Sequence, residues 1–467
     1  MAERQSKVSG PQGQAPEPAE KRHSFLRSTL STFGAHLGVG VFSFLNVLII
    51  SRALGPSGRG QVALLTTIGV TMSFVCTLGV QEANVNFAGV DRSLRRSLAT
   101  NSVLLALITG GVAAAVLGTL MMAFPAIAGH AAVWLRWLTL ASVPIVVLQM
   151  FLARLVQADY RFDLSNAALL CPPVTTAVFN GLFVALGLLS VGSAVCLWVI
   201  GQTIGTGLLV VAILRGYGFG RPDAALARRA IGFGMRIYPG TFMNQSNYRL
   251  DSWLLGGIAG TTELGLYNVA VSWAEALFLV PVVLGIVQRP DLVRGTRGEA
   301  VWQASRAFRA AIVATAVLAG GMIVLAPVLC TTTFGPDFQG SIRDLRMLAP
   351  GAFGIVGLQV LGNAMTARNR PLLQTASIAV TFAFTIVLDL ILIPAHGDFG
   401  AAIASTVAYT MGGAAASLIF IRGLGAVPSE LVPRRSDALM FLRLGRRAIE
   451  RLRARTDPLP QEGSTGP

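Results

Sequence analysis

Charge is scarce in this chain: 13% of its 467 residues are Asp, Glu, Lys or Arg, against 53% hydrophobic. The four cysteines (Cys76, Cys171, Cys196, Cys330) form no CxxC pair and no cluster with the four histidines. They read as ordinary buried side chains, and no metal site is expected. HExxH is absent, and so is the GxxxxGK[ST] loop that cradles nucleotide phosphates, so no nucleotide hydrolysis and no cofactor are expected. No cleavable signal peptide is evident either. The first apolar stretch is too long for a signal core and lacks a small-residue cleavage site.

What the chain has instead is length in apolar runs. A membrane-crossing helix needs roughly 20 mostly apolar residues. Spans are predicted over 30–52, 60–80, 98–122, 132–153, 166–188, 193–214, 232–257, 264–286, 307–330, 345–366, 372–394 and 399–421. A mean hydropathy of +0.64 and 51 glycines, which permit close helix approach, agree. The fold class is an all-α polytopic membrane protein of about 12 transmembrane helices.

A net charge of +15 would point to nucleic acid in a soluble protein, but its distribution points to a bilayer. With the N-terminal side taken as inside, inner segments hold 31 of the 37 Lys+Arg. The outer connections and outer span ends hold Arg52, Arg59, Arg136, Arg343 and Arg346, and Arg249 lies within a span. The bias places both termini in the cytoplasm. The longest outer connection, about 331–344, leaves no room for a catalytic domain. That disfavours a membrane glycosyltransferase or polymerase, and the chain is read as a non-enzyme.

The chain also matches itself. Ala53-Leu54-Gly55 with Gly60 aligns with Ile258-Ala259-Gly260 with Gly265, 205 residues on. Val191-Gly192-Ser193-Ala194 aligns with Phe399-Gly400-Ala401-Ala402, and Arg161 with Arg370. Asn46 then falls on Asp251 and Asn180 on Asp389. Six spans per half is an even number, so the halves share one orientation and face each other across a central cavity. The expected domains are a disordered cytoplasmic N-terminus (1–27), an N-lobe (28–215), a cytoplasmic linker (216–230), a C-lobe (231–424) and a basic cytoplasmic tail (425–467).

The seventh span carries the densest polar signal, Asn244-Gln245-Ser246-Asn247-Tyr248-Arg249-Leu250-Asp251-Ser252. On a continuous helix these polar side chains cover about 200° of arc, too much to face hydrocarbon. Arg249 and Asp251 are two apart and point different ways, so they cannot neutralise each other locally. Pro239-Gly240 is the predicted break in this span. Glu275 (span 8) and Asp389 (span 11) add intramembrane acids, and Asn46 (span 1) a neutral polar group. Arg249, Asp251, Asn247, Asn244, Glu275, Asp389 and Asn46 are therefore the candidate substrate-cavity residues. A buried Asn or Gln serves packing more often than binding, whereas an intramembrane charge is costly enough to imply function.

After span 12, Ala438, Phe441, Leu442, Gly445, Ala448, Ile449 and Leu452 recur at helical spacing opposite Arg443, Arg446, Arg447, Glu450 and Arg451. This predicts an interfacial helix on anionic membrane lipids. Truncation after Ile421 is expected to leave the two lobes folded.

Several segments resemble a known family. Ser51-Arg52-Ala-Leu-Gly-Pro-Ser-Gly-Arg-Gly60 resembles the connection after the first helix of the polysaccharide transporter family, the O-antigen-type lipid-linked oligosaccharide flippases. These belong to the multidrug/oligosaccharidyl-lipid/polysaccharide exporter superfamily. Arg249–Gly256 with Leu264–Ala270 is similar to the family's seventh helix and following turn. Phe334–Phe338 with Leu345–Pro350, and Ile393-Pro394 with Gly397–Ala404, resemble the segments leading into its tenth and twelfth helices. The resemblance covers residues 28–424. It implies a flippase moving a polyprenyl-pyrophosphate-linked oligosaccharide to the outer leaflet by alternating access, without ATP hydrolysis. Glycan polymerase or glycosyltransferases are the implied protein partners, with no nucleic acid. The alternatives are a cation-coupled multidrug exporter of the same superfamily, which Arg249 disfavours, and a scaffold for glycan synthesis acting through the basic tail.

Overall fold

The computed structural model describes residues 19–129, 131–294, 296–434 and 437. The predicted tail helix at 438–452 and residues 1–18 of the predicted disordered N-terminus lie outside them. Helix α1 (Ala19–Cys76) already begins within the segment expected to be disordered. After Pro18 no Gly or Pro interrupts the run into the first span until Gly34.

Among the described residues, nine helical segments are long and apolar enough to cross a membrane. Two of them, α1 and the segment Pro371–Leu424, each carry two spans, bent at Gly55 (φ 64°) and Gly397 (φ 56°). The seventh span is too polar to be counted among the nine and is split in two. Twelve passages result, in step with the twelve apolar stretches. In chain order α1 is followed by α2 (Val80–Val90), which extends the second span, and then by α3 (Arg95–Ala123), α4 (Val133–Ala158), α5 (Phe162–Ala185) and α6 (Val191–Gly216). The second half comprises α7 (Ala224–Ser246), α8 (Leu250–Ile258), α9 (Thr261–Arg294) and α10 (Arg297–Pro327). Span 10 is assembled from α11 (Gly340–Leu348), α12 (Gly351–Val356), a π-helical turn at Gly357–Leu361 and α13 (Gly362–Ala367). It is followed by α14 (Pro371–Leu424) and the short α15 (Pro428–Leu431). Local sequence sets several of these starts. Ser190 with Ser193 and Thr296 with Glu299 form reciprocal caps at α6 and α10, and the Asp223 carboxylate accepts the Leu226 N–H at α7.

The backbone carries the duplication more plainly than the side chains do. Gly55 and Gly260, 205 residues apart, both adopt positive φ (64° and 99°) at the outer turn of their half. Tyr160 and Asn369, non-glycines at φ 60° and 58°, precede the aligned Arg161 and Arg370. Non-glycine residues adopt this conformation rarely enough for the coincidence to carry weight.

The two lobes share one core in their outer halves. Ile50, Leu64 and Leu135 of the first half pack there with Leu255, Leu264, Tyr267 and Ala401 of the second. The approach is closest at the repeat axis. A Cβ on Gly60 would sit 1.6 Å from the Thr261 carbonyl oxygen, and one on Gly265 would sit 1.9 Å from that of Pro56. These contacts exchange under a 205-residue shift, as a two-fold relation requires. Beside them Arg52 donates to the carbonyls of Thr333 (2.7 Å) and Thr332 (2.8 Å). The two lobes are therefore in direct backbone contact at this end. In the inner halves the lobes keep separate cores, and α7 reaches across, burying Ala230 against Val80, Ala83 and Phe151.

Packing of the C-lobe continues past residue 424. Leu424, Ala426 and Leu431 join a buried cluster with Phe420, and Arg309 of α10 pairs with Asp437 at 2.9 Å, the two side chains 9% and 10% exposed. This packing runs against the expectation that a cut after Ile421 leaves the lobes folded. Stranding a buried charge costs about 3–5 kcal/mol. A chain ending at Asp437 should melt in detergent like the full protein, whereas one ending at Ile421 should melt well below it. Equal melting of the two truncations would show that Arg309 does not depend on its partner.

Candidate functional site

The seventh span does break, but not at Pro239-Gly240, where the helix runs on. It breaks at Asn247–Arg249, between α7 and α8. The proline lies where α7 leans on the N-lobe: a Cβ on Gly234 would be 2.5 Å from the Leu78 carbonyl oxygen, and Tyr238 donates to the Val75 carbonyl at 3.0 Å. Neighbouring backbone and side chains hold α7 helical through that point. Three residues rich in amide and charge then interrupt the ladder, as a discontinuous transporter helix does.

This break sends neighbouring side chains in opposite directions. Arg249 is exposed and faces the N-lobe, where the buried Arg59 stands close enough to be repelled by it and attracted by Glu275. Arg59 is 8% exposed, and its Nε has no hydrogen-bond partner. Among the described residues no carboxylate lies within ion-pairing distance of Arg59 or Arg249. Arg59 was counted above with the outer connections. The sign that places it inside is Gly55-Pro56: the chain turns at the glycine and restarts a helix at the proline, so Arg59 occupies the first turn of span 2.

Asp251 turns the other way, into the C-lobe. It is 4% exposed and accepts hydrogen bonds from Tyr267 of α9 and, at 3.3 Å, from Ser405 of α14. Asp389 lies in its electrostatic field, fully buried, with neither carboxyl oxygen hydrogen-bonded. The N-lobe counterpart explains the geometry. There Asn180 donates to Asn46 at 2.7 Å, so the repeat holds a neutral amide pair where the C-lobe holds two acids. Asn244 and Asn247 line a separate small cavity of about 20 Å³ with Tyr248, Gln359, Gln374 and Tyr409. That is room for one water. The π-turn at Gly357–Leu361 carries Gln359, which donates to the Tyr248 hydroxyl at 3.2 Å.

The single central cavity expected from sequence therefore divides. Arg249 and Glu275 share one electrostatic neighbourhood with Arg59 of the N-lobe. Asp251, Asp389, Asn244 and Asn247 belong to the interior of the C-lobe, and Asn46 pairs with Asn180 inside the N-lobe. The interlobe site can hold an anion against two guanidinium groups. The C-lobe site places two acidic side chains within each other's electrostatic field, one hydrogen-bonded and one not.

The model of a polysaccharide biosynthesis protein family matches residues 49–343. Solved structures share the fold at low identity. A lipid II flippase, MurJ, in an inward closed conformation superposes with a TM-score of 0.69 at 13% identity, over 89% of either chain. An inward-facing multidrug resistance MATE family transporter of the MOP superfamily gives 0.65 at 13%, over 83% of this chain and 94% of that one. The MATE multidrug transporter DinF-BH gives 0.61 at 16%, over 90% and 98%. No curated protein matches the chain.

Proposed function

The chain belongs to the polysaccharide biosynthesis protein family, and we propose that it moves a polyprenyl-pyrophosphate-linked oligosaccharide from the inner to the outer leaflet of a bacterial cytoplasmic membrane. The observation that carries this reading is the pair Arg59 and Arg249, unneutralised by any described carboxylate in contact and set on opposite lobes. A pyrophosphate diester carries about two negative charges and accepts paired hydrogen bonds from guanidinium groups. A ligand held from both lobes draws them together, and its release lets them part, which is the requirement for alternating access. The lipid tail stays in the bilayer while the headgroup crosses between the lobes.

The driving force needs no nucleotide. Outward movement of about two negative charges from a negative interior gains roughly 4–5 kcal/mol at 100 mV. The Asp251–Asp389 pair adds a route for coupling to an inward cation. With the basic segments inside, both termini lie in the cytoplasm, where glycosyltransferases are the reading's protein partners.

The fold also serves multidrug exporters, which is the specific observation favouring that second reading. Organic cations would meet two guanidinium groups in this space, so the flippase reading is preferred. Reconstituted vesicles separate the two. With an interior-negative potential of about 100 mV, a polyprenyl-pyrophosphate oligosaccharide should accumulate in the outer leaflet, and collapsing the potential should reduce the equilibrium ratio about a thousandfold. Transport of a lipophilic cation dye but not of the glycolipid would reverse the preference.

A further inference from the structure

At the outer end of the C-lobe, away from the space between the lobes, three carboxyl groups converge. Glu263 lies in the first turn of α9, Asp344 in α11, and Asp398 follows the Gly397 bend of α14. Asp344 and Asp398 side chains are 0% and 1% exposed. Asp398 is well anchored. Its Oδ1 accepts the Phe399 N–H at 2.7 Å and the Arg343 guanidinium, and its own N–H donates to Glu263 at 3.1 Å.

Asp344 is different. Neither of its carboxyl oxygens receives an N–H or hydroxyl from a described residue, and the Arg343 Nε stays 3.6 Å away. Asp344 and Asp398 both approach the Arg343 guanidinium, and the second carboxyl oxygen of Asp398 is likewise without a hydrogen-bond partner among the described residues. A carboxylate has no hydrogen to give. Burying a charged carboxylate with no donor in reach is costly, and one guanidinium cannot neutralise three carboxylates, so the cluster favours holding a proton. The other titratable neighbours do not replace that proton. They are Cys330, beyond the end of α10, and His396, on the rim.

A cavity of about 430 Å³, lined by Glu263, Arg343, His396, Pro394 and Ile258 among others, reaches this cluster. It is built from C-lobe residues alone, so closure between the lobes does not shut it. One helical turn beneath Glu263 on α9 is Tyr267, and two turns beneath Asp398 on α14 is Ser405, about 6 Å and 10 Å along the helix axes. Both hydroxyls bond Asp251.

We propose that Glu263, Asp398 and Asp344 form a proton-binding site, loaded from water at the outer surface, that supplies the Asp251–Asp389 pair. Hydronium in the cavity gives its proton to the Glu263 carboxylate and leaves as water. The proton moves on to Asp398 and Asp344, and each donor becomes a carboxylate that the next proton restores. The supply role rests on the coupling reading of the Asp251–Asp389 pair; the proton-binding site itself does not.

Infrared difference spectroscopy of the full chain in detergent, without substrate, tests the site apart from any transport reading. At neutral pH a carboxylic-acid C=O band that Asp389→Asn leaves in place should be present and should disappear in Asp344→Asn. Its absence in the unmodified protein, or its persistence in a folded Asp344→Asn, overturns the site. Glu263→Gln, on the cavity wall, covers the case in which Asp344→Asn does not fold. It should keep the band and slow its exchange in D2O, and unchanged exchange overturns the cavity as the route. In vesicles, transport should vary with outer pH by up to about tenfold per unit, and this dependence should flatten in Glu263→Gln. A flat profile in the unmodified protein, with the band present, overturns the supply role.

Discussion

Arg249→Ala is expected to abolish translocation of the lipid-linked oligosaccharide while leaving the amount of folded protein unchanged. The guanidinium is exposed and has no described carboxylate in contact, so the folded state loses no ion pair with it. The loss falls on the substrate. A charge-assisted, paired contact to pyrophosphate in a partly dehydrated space is worth about 2–5 kcal/mol, or roughly 30-fold to several thousandfold in rate. Arg249→Lys should recover part of this, because Lys keeps the charge and loses the fork. Arg59→Ala should match Arg249→Ala in transport, since both grip one group from opposite lobes. The competing account is that Arg249 ties α8 to Glu275. Arg249→Ala would then lower abundance, and adding Glu275→Gln would restore both abundance and transport. A double variant that transports normally ends the pyrophosphate role.

Gly60→Ala is expected to prevent closure of the outer face. The added methyl carbon would lie 1.6 Å from the Thr261 carbonyl oxygen and 2.8 Å from the Gly265 nitrogen. These are backbone atoms with no rotamer to yield, so the helices must separate. Overpacking of this kind costs about 1–3 kcal/mol where a core relaxes, and more against backbone. A shift of even about 3 kcal/mol changes the closed fraction by more than a hundredfold. Ser57 and Thr261 report on it, their hydroxyl oxygens being 3.5 Å apart across the lobes. A Ser57→Cys/Thr261→Cys pair should oxidise readily to a disulfide, and adding Gly60→Ala should suppress it. Gly265→Ala should do the same through Pro56. Ready cross-linking in the presence of Gly60→Ala would show that the interface yields without opening.

The twelve passages, the two like-oriented halves and the polar seventh span could be read directly, because each is a property of contiguous residues. Hydropathy needs only a window of about 20 residues. The aligned Gly55 and Gly260 marked equivalent turns because only residues tolerant of positive φ suit them. The pairing of Asn46 with Asp251 and of Asn180 with Asp389 was also legible, and the hydrogen bond between the two asparagines has its counterpart in the electrostatic proximity of the two acids.

Sequence could not decide which way the polar side chains point. A helical wheel assumes one unbroken helix, and the interruption at Asn247–Arg249 resets the phase, sending Arg249 toward the N-lobe and Asp251 into the C-lobe. It could not place Arg59 beside Arg249 either. That neighbourhood joins residues 190 positions apart through a close approach of two glycines at the repeat axis. The outer cluster of Glu263, Asp344 and Asp398 was equally invisible, since each acid reads alone as an ordinary charge at a span end. Sequence determined that the chain crosses a bilayer twelve times in two equivalent halves, because the cost of exposing polar backbone to lipid is local and additive along the chain. Only the tertiary structure decided which charges meet, because charges on separate helices interact through space and depend on how those helices pack.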